Sequence, residues 1–266
     1  MENTKIGVEV VFVLLTYRSW NDLNCFIDSA KKMCKYSYKI ICVNSFYDLD
    51  SKEAIEKICI ANNVDFLNIE NKGYGYGNNQ GINFANSKYN FDYLIISNPD
   101  IEIKNFSLEN VSKAEVTAPK IITLNGKKQN PFRLVSNSYI ERKKYNDFQK
   151  NKRMFVIADI IINKMARFIY NTMNFRGEIY SCHGSFMILG CDVINKVGSN
   201  IFNEKIFLFT EEDHVAKLME RNKIKIRYTD DVEVLHKEDG SVKYLDNKIK
   251  KITRNSYIEY YNYWYK

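Results

Sequence analysis

The sequence predicts an α/β fold built on a doubly wound, mainly parallel sheet. Residues 8–17 form a nearly unbroken apolar run, which is typical of a parallel strand buried on both faces. Strand and helix patterns then alternate through the N-terminal part of the chain, as such a sheet requires. With 266 residues, 45% of them hydrophobic, and only 3 prolines, we expect one compact unit with a substantial core.

The elements of the N-terminal part follow one another in regular order. Ser19 can cap a helix that continues to about Lys35. The elements predicted after it are strands at 38–44, 64–69 and 92–97, a helix at 51–62, and a short helix that follows the glycine-rich segment 71–81.

Polar residues cluster where these predicted strands end. Ligands of a doubly wound sheet bind beyond the carboxyl ends of its strands, so this edge is the expected binding site. The residues that fall there are Thr16, Tyr17, Asn44, Ser45, Asn98 and Asp100.

The alternation ends after Pro131, and the second half predicts a helical elaboration of the sheet. Residues 139–180 have the pattern of one or two helices with a basic lead-in. Strands at 185–189 and 223–236 flank a predicted helix at 211–222. Within 155–175, polar residues recur every four positions on an otherwise apolar helix, which must bury its surface against the domain, a second subunit or lipid. These polar residues are Asp159, Asn163, Arg167 and Asn171.

The charge and the C-terminal composition indicate an anionic partner. The formal net charge is +7, which suits a nucleic acid, a membrane surface or a phosphorylated small molecule. The segment 242–266 is basic and then rich in tyrosine, so it is expected either to associate peripherally with an anionic membrane or to dock on the domain as a helix. A second copy of the chain, in a homodimer, is a further alternative partner. No nucleic-acid partner is expected, because no RNA-binding, zinc-finger or helix-turn-helix pattern is found.

The cysteine pattern and hydropathy predict a cytoplasmic protein. The 6 cysteines form no CxxC pair, which favours buried, reduced thiols. The N-terminus has no apolar signal core, and no 18 uncharged apolar residues run together. We therefore expect cytoplasmic localisation, with peripheral attachment at the inner face of the cell membrane as the alternative.

Two segments near the strand ends invite a chemical interpretation. Asn98-Pro99-Asp100 could place a carboxylate on a divalent ion, but it is also ordinary turn chemistry. The glycine-rich segment could cradle phosphate through backbone N–H groups or form a tight turn. A dinucleotide fingerprint fails there, because Asn78 stands where its last glycine is required.

Acids and a histidine end two later apolar runs. Glu211, Glu212 and Asp213 follow the run 206–209 at a predicted helix start. They are either a capping cluster favoured by the helix dipole or the source of a general base. His236 ends another apolar strand, and it is either structural or a ligand.

The order and spacing of these motifs resemble the family 2 glycosyltransferases, especially their rhamnosyltransferase- and galactofuranosyltransferase-like branch. The matching stretches together cover residues 10–241, most of the chain. They are the segments 13–17, 43–45, 71–81, 96–100, 184–189, 207–212 and 236–241.

The resemblance implies a GT-A fold whose catalytic domain is 1–241, with a nucleotide-sugar half (1–130), an acceptor half (131–241) and a tail (242–266). It implies an inverting enzyme that moves a sugar from a UDP- or dTDP-linked donor to a glycan or lipid-linked acceptor. The setting implied is bacterial surface polysaccharide synthesis, such as capsule or O-antigen.

The resemblance also assigns roles to residues. Asp100 and His236 match the positions that hold Mn²⁺ or Mg²⁺. Glu212 matches the catalytic base, with Glu211 and Asp213 as the neighbouring acids. The donor would be contacted by Thr16, Tyr17, Arg18, Asn44, Ser45, Asn71, Gly73, Tyr74, Gly77, Asn78, Asn79 and Asn98.

One departure and two rivals qualify the resemblance. Asn44 stands where relatives usually carry an aspartate, so the resemblance does not determine the nucleobase of the donor. A basic nucleic-acid-binding module is the rival from another class. A sugar nucleotidyltransferase would share the α/β architecture, but its glycine-rich loop with a catalytic basic residue is missing near the N-terminus.

Overall fold

The computed structural model of the protein describes residues 5–18, 20–173, 177–238 and 248–266. Ser19, the predicted helix cap, lies outside these residues, and so does the end of the predicted helix 155–175. The Gly240-Ser241 part of the last family motif and the start of the tail also lie outside them.

The helices and strands follow one another in the order β1 (Ile6–Gly7), β2 (Val10–Thr16), α1 (Trp20–Met33), β3 (Tyr38–Ser45), α2 (Leu49–Ala61), β4 (Asp65–Ile69), α3 (Tyr74–Lys88), β5 (Tyr89–Asn90), β6 (Tyr93–Ser97), β7 (Ile101–Phe106), β8 (Val116–Thr123), α4 (Ser138–Gln149), α5 (Met154–Thr172), β9 (Glu178–Ile179), β10 (Phe186–Gly190), α6 (Cys191–Val197), α7 (Glu211–Arg221), β11 (Ile226–His236) and α8 (Ile249–Tyr265).

The predicted α/β class is confirmed by a mixed central sheet. Within the described ranges it has 9 strands, in the order β4-β3-β2-β6-β10-β8-β11-β7, with β9 beside β11. The strands from β4 to β6 pair in parallel. Beyond β6 the pairing is mixed, because β10 runs antiparallel to both of its neighbours while β8 and β11 are parallel.

The central strand β2 is buried on both faces, as its apolar run predicts. Val11 and Val13 face one hydrophobic core together with α3. Phe12 faces the other core, where its ring meets that of Phe26 from α1 at 5.5 Å in an edge-on arrangement. Alternating side chains of one strand therefore supply both cores.

Several elements were not predicted from the sequence or were predicted with the wrong length. Strands β7 and β8, the short helix α6 and the two-residue strands β1, β5 and β9 have no predicted counterpart. Helix α3 begins at Tyr74, inside the segment predicted as a loop, and extends over 15 residues. Of the glycines that suggested a loop, Gly73 is the N-cap of the helix, and Gly75, Gly77 and Gly81 are helical residues.

The glycines of α3 allow its close approach to β2. A Cβ atom built on Gly81 would lie 2.3 Å from Cγ1 of Val13 and 2.9 Å from Cγ2 of Val43. A Cβ on Gly77 would lie 2.3 Å from Cδ1 of Leu15. Real carbon atoms never approach this closely, so the helix reaches the sheet only because these side chains are absent.

The C-terminal helix α8 docks on the domain, which was one of the two expectations for the tail. Tyr257, Tyr260, Tyr261 and Trp264 are buried in a cluster with Ile206. The Trp264 indole donates a hydrogen bond of 3.0 Å to Nδ1 of His214 on α7. The aromatic residues that suggested membrane binding are thus mostly consumed by packing within the protein.

None of the helices within the described ranges combines the length and the apolar character needed to cross a lipid bilayer.

We predict that Gly81→Ala destabilises the fold although alanine favours helix. The gain in helix propensity is about 1 kcal/mol, whereas forcing a methyl group between packed valines typically costs about 1–3 kcal/mol. Urea unfolding should therefore show an unchanged or lower free energy of unfolding, with a loss of up to about 2 kcal/mol. Gly7→Ala is the control, because nothing lies within 4 Å of its added Cβ. A clear gain of stability in Gly81→Ala would contradict the packing account.

Candidate active site

A cleft of about 1060 Å³ opens at the carboxyl ends of the parallel strands. The edge predicted to bind a ligand therefore does form a large cavity. Of the residues predicted for the site, those that line it are Tyr17, Ser45, Asn71, Gly73, Tyr74, Asn98, Asp100, Glu211, Glu212, Asp213 and His236.

Antiparallel pairing brings distant motifs together in this cleft. Strand β10 pairs with β6 so that Phe186 lies opposite Ser97, and the Asn98 N–H donates to the Ser185 carbonyl at 2.9 Å. Strand β11 pairs with β7 so that His236 lies opposite Ile101. Segments more than 130 residues apart in the chain, such as Asp100 and His236, thus become neighbours.

The carboxylate of Asp100 is buried and faces His236. Its side chain is 2% exposed, and neither oxygen has a hydrogen-bond partner within the described part of the chain. Nε2 of His236 lies 3.4 Å from Oδ2 of Asp100. A buried carboxylate is costly unless it is paired or coordinates a metal, so this pair is where a cation would be stabilised.

The orientation of the His236 ring is fixed from behind. The amide nitrogen of Gln129 donates to Glu238 at 2.9 Å, which turns the amide oxygen of Gln129 towards Nδ1 of His236 at 2.7 Å. A neutral imidazole then carries its proton on Nδ1 and presents the Nε2 lone pair to Asp100. Such a partner behind the ring is common for metal-binding histidines, so these residues fit a divalent ion.

The described residues hold no group of three or more His, Cys, Asp or Glu side chains with metal-binding geometry. The described part of the chain would therefore supply two ligands at this position, Asp100 and His236. The other positions of a coordination shell would have to come from solvent or from the ligand of the cleft, as is usual for Mg²⁺ at phosphate sites.

His183 is a residue of the cleft that the sequence analysis missed. Its ring centroid lies 5.8 Å from that of His236, and Nδ1 accepts the Ser185 N–H at 3.1 Å. Burial, followed by the charge of His236, lowers the pKa of His183 to about 3. The signal was present in the sequence, because His183 directly precedes a segment of the family motif that begins at Gly184.

The acid cluster enters the cleft from a backbone turn. Phe209 and Thr210 both adopt left-handed conformations, with φ of 73° and 70°, which is costly for residues other than glycine. Helix α7 starts immediately afterwards, so Glu211 and Glu212 lie in its first turn at the wall of the cleft. The turn therefore directs this helix start into the cavity.

The two glutamates differ in their surroundings. Glu211 is 6% exposed, and its Oε1 has no hydrogen-bond partner among the described residues. Oε1 of Glu212 accepts the Gly184 N–H at 3.2 Å, and the side chain is less buried than that of Glu211. Burial raises the pKa of Glu212. Burial and the adjacent Glu212 charge raise the pKa of Glu211 well above its usual range.

Asp213 is held in an ion-pair network. Its Oδ1 accepts a hydrogen bond of 3.1 Å from Nε of Arg133, whose other nitrogens contact Asp159. Nζ of Lys144 lies 2.6 Å from Asp159. Burial opposes the charge of Arg133, but the two carboxylates outweigh it and raise its pKa. Asp213 is thus committed to a structural pair, which disfavours it as the base.

Several residues assigned to the donor support the cleft from behind instead. Thr16 is fully buried and bonds to the Val43 carbonyl at 3.3 Å. Asn44 donates to Asn68 at 2.7 Å, and Asn79 donates to the Phe202 carbonyl at 2.9 Å. These side chains do not line the cavity in the described structure, and their contact with a donor stays a prediction. The same holds for Gly77, which packs on β2, and for Asn78, which donates to the Tyr74 carbonyl.

Three other assigned residues lie at the edge of the cavity or make contacts that hold its wall. The guanidinium of Arg18 stacks 3.9 Å from the ring centroid of Tyr47 and is not among the residues that line the cavity. Gly73 has φ of 107°, and its Cβ would lie 2.4 Å from the Phe207 carbonyl oxygen. Tyr74 donates from its hydroxyl to the Gly184 carbonyl at 2.7 Å. Gly73 and Tyr74 therefore position the segments that carry the acids.

No protein-family model matches the sequence, and no curated protein matches it either. Solved structures do match over most of the chain. GalNAc-T7 with UDP, GalNAc and Mn²⁺ aligns with a TM-score of 0.58 at 12% identity, covering 86% of this chain and 44% of that chain. TarS of S. aureus (residues 1–349) in complex with UDP-GlcNAc aligns with a TM-score of 0.56 at 13% identity, covering 88% and 60%.

A third solved structure matches over most of the chain. The mannosyltransferase PcManGT from Pyrobaculum calidifontis, in complex with GDP-Man and Mn²⁺, aligns with a TM-score of 0.53 at 11% identity, covering 94% of this chain and 62% of that chain. The chain thus spans roughly two-fifths to three-fifths of the lengths of these structures. The three likenesses confirm the predicted GT-A-type fold.

We predict that substitutions of two acids in the cluster, Glu211→Gln and Asp213→Asn, change the stability of the protein in opposite directions. The folded-state pKa of Glu211 lies above its ordinary value of 4.5. The free energy of unfolding of the wild type is therefore not reduced by this group below pH 4.5, and it falls as the pH rises from there through the folded-state pKa. Glu211→Gln should therefore gain stability relative to the wild type as pH rises from 5 to 8. The gain is roughly 1.4 kcal/mol for every pH unit between the two pKa values.

Asp213→Asn serves as the contrasting variant in the same urea titrations. It weakens the ion pair with Arg133 and should lose about 1–3 kcal/mol at neutral pH. A Glu211→Gln variant whose advantage does not grow with pH would show that Glu211 is not destabilised by its charge.

Proposed function

We propose that the protein is a glycosyltransferase that takes a sugar from a nucleoside-diphosphate donor. The observation that carries the proposal is the buried pair Asp100 and His236, which lies in the same cleft as the raised-pKa carboxylate of Glu212. A site for a cation beside a diphosphate, together with a general base, is what a metal-assisted inverting transfer uses. The GT-A-type fold agrees with this chemistry.

The donor would bind at the parallel half of the cleft. Tyr17, Ser45 and Asn71 line the wall there, at the ends of β2, β3 and β4. Ring, hydroxyl and amide groups of this kind can hold a base and a ribose through stacking and hydrogen bonds. A UDP- or dTDP-linked sugar is the donor that we propose.

Asp100 and His236 would hold Mn²⁺ or Mg²⁺ against the diphosphate. When bound, such an ion neutralises charge on the diphosphate oxygens as the nucleotide leaves. The role of the protein is to hold the two metal-binding side chains in a fixed orientation, through the contact between Gln129 and His236. This preorganisation reduces the reorganisation needed during the reaction.

Glu212 is the acid best placed to act as the base. Asp213 is engaged with Arg133, and Glu211 is the more buried of the two glutamates. Glu212 lines the cleft, and the Gly184 N–H fixes one of its oxygens. A raised pKa brings a carboxylate closer to working pH and makes it a stronger base when ionised. It would take the proton of the acceptor hydroxyl in a single inverting displacement.

The acceptor would enter from the side of the cleft formed by α5 and α8, where Ile160, Lys164 and Tyr257 line the wall. We propose a glycan or a lipid-linked saccharide as the acceptor, in the synthesis of a bacterial surface polysaccharide such as capsule or O-antigen. A panel of UDP-, dTDP- and GDP-sugars, tested for Mn²⁺-dependent hydrolysis and thermal stabilisation, would identify the donor.

We predict that turnover of the best donor requires a divalent cation and Asp100. EDTA should abolish turnover and Mn²⁺ should restore it, while Asp100→Asn should lower it by about 10–100-fold or more. Electron paramagnetic resonance should also show weaker Mn²⁺ binding by this variant in the presence of nucleotide. Asp92→Asn, before the other end of β6, is the matched control, because Asp92 pairs with Lys113 at the surface. Full turnover in EDTA would exclude the metal-assisted mechanism.

We predict that Glu212→Gln lowers the transfer rate by about 10²–10⁴-fold, because the variant keeps the size of the side chain and loses the proton acceptor. The affinity for the donor should change little. In the wild type, kcat should fall as pH drops below the raised pKa of Glu212. Asp213→Asn is the comparison: a large rate loss there and none in Glu212→Gln would mean that the base is misassigned by one residue.

A further inference from the structure

Helix α5 exposes an apolar face to the solvent. Phe168 is 70% exposed, and Met154 is 67% exposed. Ile157, Ile161 and Met165 are more than half exposed as well. Their spacing of three or four residues places them along one side of the helix. A continuous exposed apolar surface of this length marks a site of interaction.

The opposite side of α5 holds the polar stripe, and three of its four residues contact the rest of the protein. Asp159 contacts Arg133 and Lys144. Asn163 donates to the Phe132 carbonyl at 2.8 Å, and Arg167 donates to the Lys128 carbonyl at 2.6 Å. The polar residues therefore fix the helix on the domain, and this attachment determines which side the apolar residues present outward.

The surroundings of the apolar face are basic. Within α5, Lys164 is the exposed charged residue, and the acid Asp159 is turned inward. Lys152 and Arg153 are exposed at the start of the helix. The exposed Lys128 lies beside its second half, where Arg167 bonds to its carbonyl. An apolar face with basic residues at its borders matches an anionic lipid surface.

We infer that α5 docks the protein on anionic lipid bilayers, with its axis in the plane of the interface. The helix has 19 residues and is thus roughly 28 Å long. Its charges lie at the borders of the apolar face, where lipid headgroups would neutralise them. A second copy of this chain is the less suitable occupant, because two basic borders would repel each other across the interface.

The proposed docking also determines where the cleft lies relative to the bilayer. Ile160 and Lys164 of α5 line the cavity, while Ile161 and Phe168 of the same helix lie on the outer face. The cleft would therefore open beside the headgroup layer. Access to a lipid-linked acceptor follows from this only together with the proposed function, whereas the docking itself does not depend on it.

Flotation with vesicles tests the inference on the full chain. Vesicles of phosphatidylcholine with about 30% phosphatidylglycerol should bind the wild type at low salt, and pure phosphatidylcholine should bind it less. The double variant Ile161→Gln/Phe168→Gln should lower partitioning by about tenfold or more without a change in net charge. Leu49→Gln/Ile60→Gln is the matched control on α2, because these two residues are 66% and 76% exposed. It should bind like the wild type.

Two outcomes would overturn the inference. The first is equal binding of the α5 variant and the wild type, with circular dichroism showing that both are folded. The second is a stable dimer in sedimentation velocity, without vesicles, that the α5 variant dissociates, because α5 would then be an interface between copies. Since donor hydrolysis is measured separately, loss of lipid binding and failure of the proposed activity are distinguishable.

Discussion

The buried carboxylate of Asp100 is the group on which the arrangement of the cleft depends. A carboxylate with no hydrogen-bond partner in the described structure is tolerated in an interior only if positive charge can reach it. The neighbouring imidazole of His236 is held by Gln129, and Gln129 is held by Glu238. Three separate segments of the chain are thus ordered around one electrostatic requirement, and the wall of the cleft is built by those segments.

The sheet brings these segments together because some of its strands pair antiparallel. A wholly parallel sheet would gather only the ends of its own strands at the cleft. Inserting β10 antiparallel beside β6 brings the segment around His183 and Gly184 to the same edge, and β11 delivers His236 beside β7. Gly184 in turn donates to Glu212 and accepts from Tyr74. The segment that leads into β10 therefore contacts the acid-bearing helix, while β11 supplies His236 to the cation-binding side.

The sequence was most informative where a local pattern determines the structure. The apolar run of β2 and the strand ends at Asn98 and Asp100 were predicted, because burial and turn chemistry depend on near neighbours. The role of Gly81 in helix packing was not predicted. In the sequence alone, a glycine that packs against a valine cannot be told from a glycine in a loop, because the packing partner is distant in the chain. His183 and the engagement of Asp213 with Arg133 were missed for the same reason: both depend on pairings between distant segments.

The docking of α8 has a consequence for the order of events during synthesis. Ser256 donates to the Leu208 carbonyl at 2.6 Å, directly beside the left-handed residues Phe209 and Thr210, and Trp264 anchors His214. In the chain, α8 follows the strands of the sheet that the structure describes. These contacts can therefore form only after those strands have been translated. The support of the acid-bearing turn is added late, to a sheet whose strands have already been made.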